Sequence, residues 1–129
     1  MSRKTRTLFR ILLAVYIGAI LFLCFGKFPA GPEVDLTLWG IPTDKLVHFS
    51  MFFPFPILSY LALGRHPETR RRLLTIVQIF LIGILLAVAT EWVQYYIPYR
   101  SGEWTDLFAD SLGLLTSSLI LLPFVCRKD

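Results

Sequence analysis

Cysteine is scarce in this chain: its 129 residues contain Cys24 and Cys126 only. A disulfide framework is therefore excluded, and the topology derived below puts the two thiols at opposite faces of a membrane, too far apart to pair. The sequence also lacks a G-x-S-x-G elbow, a Gly-rich phosphate loop and an H-E-x-x-H pair, so these catalytic and nucleotide-binding sites are not indicated. It has no internal repeat and no nucleic-acid motif, and we expect no nucleic-acid partner.

Charge is nearly absent from four long segments. Hydrophobic residues make up 55% of the chain and its mean hydropathy is +0.62, which is too apolar for a soluble domain of this size. The sequence predicts an all-α membrane protein, a single domain over residues 1–129 with four transmembrane helices at about residues 8–25, 44–64, 73–97 and 104–125. The first segment has a cleaved signal peptide as its alternative reading, although the small-x-small cleavage pattern is missing.

The basic residues are unevenly distributed between the two faces of such a bundle. Four spans put both termini and the 65–72 loop on one face, with ten of the thirteen Lys and Arg residues: Arg3, Lys4, Arg6, Arg10, Arg65, Arg70, Arg71, Arg72, Arg127 and Lys128. Because cytoplasmic loops carry the Lys/Arg excess, this predicts an N-in, C-in topology. Membrane lipids are the expected surroundings and partners, and oligomers are compatible with a chain this small.

Local signals add detail to the second span. Pro54 and Pro56 lie in its middle, where each removes an N–H donor, so we expect a kink. Thr43 or Asp44 is the predicted N-cap of this span. The Gly- and Pro-rich stretch 26–43 before it predicts a non-helical connection.

Ionisable and amide side chains interrupt the apolar spans at one predicted depth, near the outer face. They are Asp44, Lys45, His48, Glu91, Gln94, Arg100, Asp106 and Asp110. Their spacings of three or four residues put the members from each span on one helix face, and Gly113 continues that face on the fourth span as a place of close helix approach. Charges in lipid are costly, so these faces should point at one another. We expect them to form one ligand-binding site.

Several roles are open for this polar set. Glu91, Asp110 and His48 are candidate acid or base catalysts, although a nucleophile is not evident. The same residues are also compatible with a structural ion-pair network that fixes helix packing. His48 lacks neighbouring ligands in a metal-binding spacing, so we expect neither a metal nor a cofactor. The aromatic residues around 92–104 are better explained by an interfacial belt than by a stacking site.

Three motifs together resemble the VanZ-like family of small bacterial membrane proteins. The order DK-x-x-H-F, E-x-x-Q-x-x-x-P-x-R and D-x-x-x-D-x-x-G matches at Asp44, Lys45, His48, Phe49, Glu91, Gln94, Pro98, Arg100, Asp106 and Gly113. Two positions differ from the family: Asp110 stands where Asn is usual, and Ser117 stands where a second Gly is common. The resemblance implies a multi-pass protein of the bacterial cytoplasmic membrane, from a family named for an accessory factor in teicoplanin resistance. It implies no established reaction.

The leading functional hypothesis is a binding role. Lys45 and Arg100 would contact the phosphate or carboxylate of a lipid headgroup or a lipid-linked cell-envelope precursor. The carboxylates would hold these cations and accept hydrogen bonds from hydroxyl groups. The alternatives are a membrane enzyme that uses paired carboxylates for acid and base chemistry on an envelope lipid, and a structural or assembly subunit.

Overall fold

Helices account for nearly all of the computed structural model, which describes residues 1–26, 37–98 and 102–127. A two-residue antiparallel hairpin precedes the second helix. In chain order the elements are α1 (Arg3–Phe25), β1 (Thr37–Leu38), β2 (Ile41–Pro42), α2 (Thr43–Phe52), α3 (Pro54–Leu63), α4 (Thr69–Tyr96) and α5 (Trp104–Cys126). Taken together, α2 and α3 form one span, so four helical segments are long and apolar enough to cross a membrane. The predicted fold class is confirmed.

The helices α1 and α4 extend further than their apolar cores. α1 begins at Arg3, where the Ser2 hydroxyl accepts a hydrogen bond from the Thr5 amide, and α4 begins at Thr69. Arginine and lysine are good helix formers, so the basic residues before each apolar segment join its helix. Hydropathy alone predicts only the apolar part of each helix, so it does not predict these additional basic turns.

The second span is interrupted at Phe53, as its prolines predict. Pro54 has no N–H to donate, and α3 therefore begins at this residue. Phe53 itself keeps a helical conformation and donates to the Phe49 carbonyl at 3.0 Å, so α2 is followed by α3 without an intervening loop.

The predicted N-cap of the second span is wrong. The capping position of α2 is Pro42, the last hairpin residue, and no side chain caps the helix there. The hairpin leads directly into the first turn, so Thr43 already lies inside the helix. The Asp44 carboxylate is bonded to Lys45 instead, while its charge still favours the helix N-terminus.

The helices pack around α5, which contacts α2, α3 and α4, while α1 lies against α3. Gly113 lies where the backbones of α5 and α2 cross: a Cβ at this position would overlap the Phe49 carbonyl oxygen and approach the Phe53 amide within 3.2 Å. The predicted close approach at Gly113 is therefore confirmed. The outward surfaces are apolar, with Leu81, Ile82 and Leu85 more than half exposed, as expected for side chains that face lipid.

The start of α1 and the end of α5 lie at one end of the bundle, which we call the arginine end. Arg10 donates to the Ala62 carbonyl at 3.2 Å, and Arg65 donates to the Arg127 carbonyl at 2.8 Å. The opposite end, with the β1–β2 hairpin, is the hairpin end. Cys24 lies toward the hairpin end and Cys126 at the arginine end, so the two cysteines do not form a disulfide with each other.

Arg72 joins three parts of the arginine end. Its side chain is buried and donates to the carbonyls of Val125, Arg127 and Pro67 at 3.0, 3.3 and 3.1 Å. Two of these acceptors belong to the last turn of α5 and the residue after it, where a cation also opposes the negative end of the helix dipole.

Replacing Arg72 by lysine should destabilise the protein by about 2 kcal/mol, because one ammonium cannot reproduce the planar set of donors. Thermal unfolding in detergent measures the loss. The exposed Arg71, which pairs with the exposed Glu68 at 3.0 Å, gives the matched control: Arg71→Lys should change stability by less than about 0.5 kcal/mol. Equal effects of the two substitutions would contradict the role assigned to Arg72.

Candidate functional site

The hairpin end gathers charged side chains from three helices. Asp44, Lys45 and His48 come from α2, Glu91 comes from α4, Asp106 and Asp110 come from α5, and Glu103 immediately precedes α5. These residues form two adjoining clusters, one around Lys45 and one around His48. Residues three or four positions apart on one helix share a face. The side chains from each helix therefore point toward the same interhelical space.

The Lys45 ammonium is enclosed by carboxylates. It donates to Asp44 Oδ2 at 2.9 Å, to Glu103 Oε2 at 2.7 Å and also to Asp106 Oδ1. Asp106 is buried, whereas the side chains of Asp44 and Glu103 are about half exposed. The hydrogen bond from Lys45 and its positive charge hold the pKa of the Glu103 carboxyl below its usual range. All three donor positions of Lys45 therefore have acceptors within the protein.

The His48 ring lies among three acids. Its Nδ1 is 2.9 Å from Asp110 Oδ1 and 3.8 Å from Glu91 Oε1, and its Nε2 is 3.4 Å from Asp106 Oδ2. Asp110 is completely buried, and Glu91 is 8% exposed. The imidazole thus connects α2 to both α4 and α5 and separates carboxylates that would otherwise repel one another.

Two carboxylate oxygens of this cluster are buried and have no hydrogen-bond partner among the described residues. They are Glu91 Oε1 and Asp110 Oδ2. The other oxygen of Glu91 accepts a hydrogen bond from the Glu103 amide at 3.2 Å, which ties α4 to the start of α5. A buried carboxylate oxygen without a donor is costly, so these two atoms mark a place where a donor or a cation would be stabilised.

Two predicted site residues need separate treatment. Gln94 is buried on the same face of α4 as Glu91, but its amide donates to the Cys24 carbonyl at 2.9 Å and so binds α1 rather than the acids. Arg100 lies outside the described residues. The binding and catalytic roles of all the predicted site residues, with Gln94 and Arg100 included, stay predictions.

Sequence reasoning missed Glu103 as a member of the site. It lies in the connection before α5, where helical spacing cannot assign it to a face. A weak signal exists, because Glu103 precedes Asp106 by three residues and an acid just before a helix N-terminus favours that end.

Cavities open on two sides of the clusters. One of about 300 Å³ lies between α4 and α5, lined by Glu91, Glu103 and the aromatic side chains Trp92, Tyr95, Tyr96 and Trp104. A second, of about 280 Å³, is lined by residues of α1, α2 and α4 that include His48, Asp44 and Gln94. Small polar groups can therefore approach the acids from either side.

The exposed aromatic residues Trp92, Tyr95, Tyr96 and Trp104 also fit the predicted interfacial belt, because each is more than 60% exposed at the hairpin end. Trp92 and Tyr95 contact Tyr96 through ring pairs with centroids 6.3 and 5.5 Å apart. The belt and the lining of the α4–α5 cavity are formed by the same side chains.

Among the described residues, two groups have ligand atoms close enough to hold a metal ion. One is His48, Glu91 and Asp110, and the other is Asp44, Glu103 and Asp106. In the second group the Lys45 ammonium already lies among the carboxylates. The first group contains a nitrogen donor and the two unpartnered oxygens.

Comparison with known proteins gives one family and one curated relative. The family described as VanZ/LLP1 matches residues 13–126. An uncharacterized protein of the fission yeast Schizosaccharomyces pombe is 24% identical over 116 residues, which cover 90% of this chain and 65% of the yeast protein. The chain therefore spans less than two thirds of that relative. Sequences of this kind are not confined to bacteria, and the bacterial cytoplasmic membrane stays a prediction. No solved structure matches the chain.

Proposed function

The chain belongs to the VanZ/LLP1 family, and from that premise we propose that its hairpin end faces the outer side of the membrane and binds the polar headgroup of a lipid or lipid-linked cell-envelope precursor. The single observation that carries this proposal is the convergence of acids, an ammonium and an imidazole at one end of an otherwise apolar bundle. Ionisable groups inside a membrane are costly, and they are commonly tied to substrate or ion binding.

The outward orientation is supported by the basic residues of the arginine end. Arg6, Arg10, Arg65 and Arg72 all lie there, together with the basic start of α1. An excess of Lys and Arg favours the cytoplasmic side and the anionic lipids of its leaflet. The hairpin end then lies at the depth of the opposite headgroups.

The cavity between α4 and α5 supports binding of a lipid in particular. Its lining combines exposed aromatic side chains with the carboxylates of Glu91 and Glu103. A lipid could place its chain against the rings and its headgroup against the acids. A ligand site of this kind combines an apolar lining with a few polar groups that fix orientation.

The contacts of Lys45 bear on which groups would meet the headgroup. Lys45 donates to three carboxylates, so a phosphate would compete with these acids for its N–H groups. The described acids instead offer acceptors for hydroxyl or ammonium groups, as in a sugar or an ethanolamine headgroup. Through the same binding, we propose that the protein could contribute to teicoplanin resistance in a bacterial host.

Acid and base catalysis is the second candidate, favoured by the contact between His48 and Asp110. A carboxylate 2.9 Å from the imidazole Nδ1 orients the ring, and a proton exchanged with a substrate would pass through Nε2, which lies 3.4 Å from Asp106 Oδ2. Conversion of a bound headgroup to a new product would favour catalysis, whereas binding without conversion favours the first proposal.

Glu91→Gln should weaken headgroup binding about tenfold, because a hydrogen bond to a carboxylate is stronger than one to a neutral amide oxygen by about 1.4 kcal/mol. Native mass spectrometry of the purified protein with phosphatidylethanolamine, phosphatidylglycerol and a lipid-linked peptidoglycan precursor measures it. Glu68→Gln, the same change at the exposed arginine end, is the control and should bind as the unsubstituted protein does. Equal binding by all three proteins would remove the proposal.

A further inference from the structure

The cluster of His48, Glu91 and Asp110 has the composition of a metal centre. One residue comes from each of α2, α4 and α5, and their ligand atoms all lie within 4.8 Å of one another. The three residues belong to separate helices and form no local metal-binding spacing in the sequence. An imidazole with two carboxylates is a common donor set for divalent metals.

The charge balance of the two clusters differs. The carboxylates around Lys45 already have a cation, whose ammonium donates to all three of them. Among the described residues, the inner carboxylates Glu91 and Asp110 have only His48 within ion-pair distance. Each also retains a buried oxygen without a hydrogen-bond partner. A doubly charged ion would neutralise both carboxylates at once.

We propose that His48, Glu91 and Asp110 bind a divalent transition-metal ion, through the imidazole Nδ1 and one oxygen of each carboxylate. Donor atoms around a tetrahedral metal at 2.0–2.2 Å lie about 3.4 Å apart. The distances from His48 Nδ1 to Asp110 Oδ1 and Glu91 Oε1, 2.9 and 3.8 Å, lie on either side of that value. These two separations come within about half an ångström of the tetrahedral value, and the two carboxylate oxygens lie within 4.8 Å of each other.

The donor set also selects the kind of metal. A nitrogen ligand disfavours Mg²⁺ and Ca²⁺, which prefer oxygen, and the absence of thiolate disfavours Cu⁺. Zn²⁺ and Mn²⁺ both accept one imidazole with two carboxylates. Three protein ligands leave at least one coordination position for water or for a headgroup oxygen. The inference goes beyond headgroup binding and does not depend on it.

Metal titration of the purified protein in detergent, after removal of metals with EDTA and without added lipid, tests this inference. Isothermal titration with Zn²⁺ and with Mn²⁺ should give one site per chain. Loss of a hydrogen-bond partner of a metal ligand typically weakens metal binding about 10- to 100-fold. Loss of a direct ligand should weaken metal binding at least as much, and we expect this result for His48→Ala and Asp110→Asn. Asp44→Asn, in the neighbouring acidic cluster, should retain the site.

A spectroscopic measurement on the unsubstituted protein does not depend on whether the variants fold. Electron spin-echo modulation of bound Mn²⁺ should contain coupling to an imidazole nitrogen. The inference is overturned if the unsubstituted protein binds neither metal, if no nitrogen coupling is seen, or if folded Asp110→Asn binds as tightly as the unsubstituted protein. Because lipid is absent from the titration, failure here leaves headgroup binding to be judged by its own assay.

Discussion

Gly113→Val should abolish the folded monomer, at a cost above about 3 kcal/mol. A side chain at this position meets the carbonyl oxygen of Phe49 and the amide of Phe53, which are backbone atoms that cannot turn aside as a flexible side chain can. α2 and α5 would have to separate, and this separation would also pull Lys45 and His48 away from the acids of α5. Size-exclusion chromatography and circular dichroism in detergent measure the loss.

The first helix offers a matched control for this change. Gly18 lies in α1 with no atom within 4 Å of an added Cβ, so Gly18→Val should leave the elution profile and thermal unfolding nearly unchanged. A folded Gly113→Val protein with normal stability would mean that α2 and α5 do not cross at this glycine.

Lys45→Met should cost about 3 kcal/mol, since removal of one partner leaves opposing charges uncompensated. Most of that loss should come from the buried Asp106, because Asp44 and Glu103 are about half exposed and water can solvate them. The double variant Lys45→Met with Asp106→Asn should recover more than half of the lost stability. Thermal unfolding of the single and double variants gives the interaction free energy between the two residues.

Lys4→Met is the comparison for this experiment, because it makes the same chemical change at an exposed position of α1. Its effect should stay within about 0.5 kcal/mol. If Lys45→Met is as mild as Lys4→Met, or if Asp106→Asn brings no recovery, Lys45 does not neutralise the acids in the way described.

The spans and the end at which the polar groups lie could be predicted because the hydrocarbon core of a membrane restricts which sequences can cross it. A helix that crosses it must be apolar over most of its length. Because successive spans alternate in direction, the sequence also predicts which helix ends meet, and this places Asp44, Glu91 and Asp106 at the same end. The break at Pro54 was predictable for a similar local reason, the missing N–H.

The partners of individual side chains could not be predicted in this way. Helical spacing predicts the face on which Gln94 lies but not its partner. The Gln94 amide donates to the Cys24 carbonyl because the end of α1 lies beside it. Glu103 belongs to a connection, where no periodicity applies. The contacts of Lys45 were not predicted either, because the sequence does not reveal that three acids of the chain surround its ammonium.

The proximity of the proposed metal ligands could not be predicted from sequence spacing either. His48, Glu91 and Asp110 are distant in sequence, and only the crossing of α2 and α4 with α5 brings their ligand atoms together. Spacing motifs detect sites built on one helix or one loop. They do not detect sites assembled between helices, which is the usual arrangement inside helical bundles.

The charged side chains of both clusters come from α2, α4 and α5 or the residue before α5, and none comes from α1. The first helix is joined to them at that end through the Cys24 carbonyl and its contact with Gln94. Residues added before α1, such as an affinity tag or a fused reporter, should therefore leave every titratable group of the pocket with its neighbours.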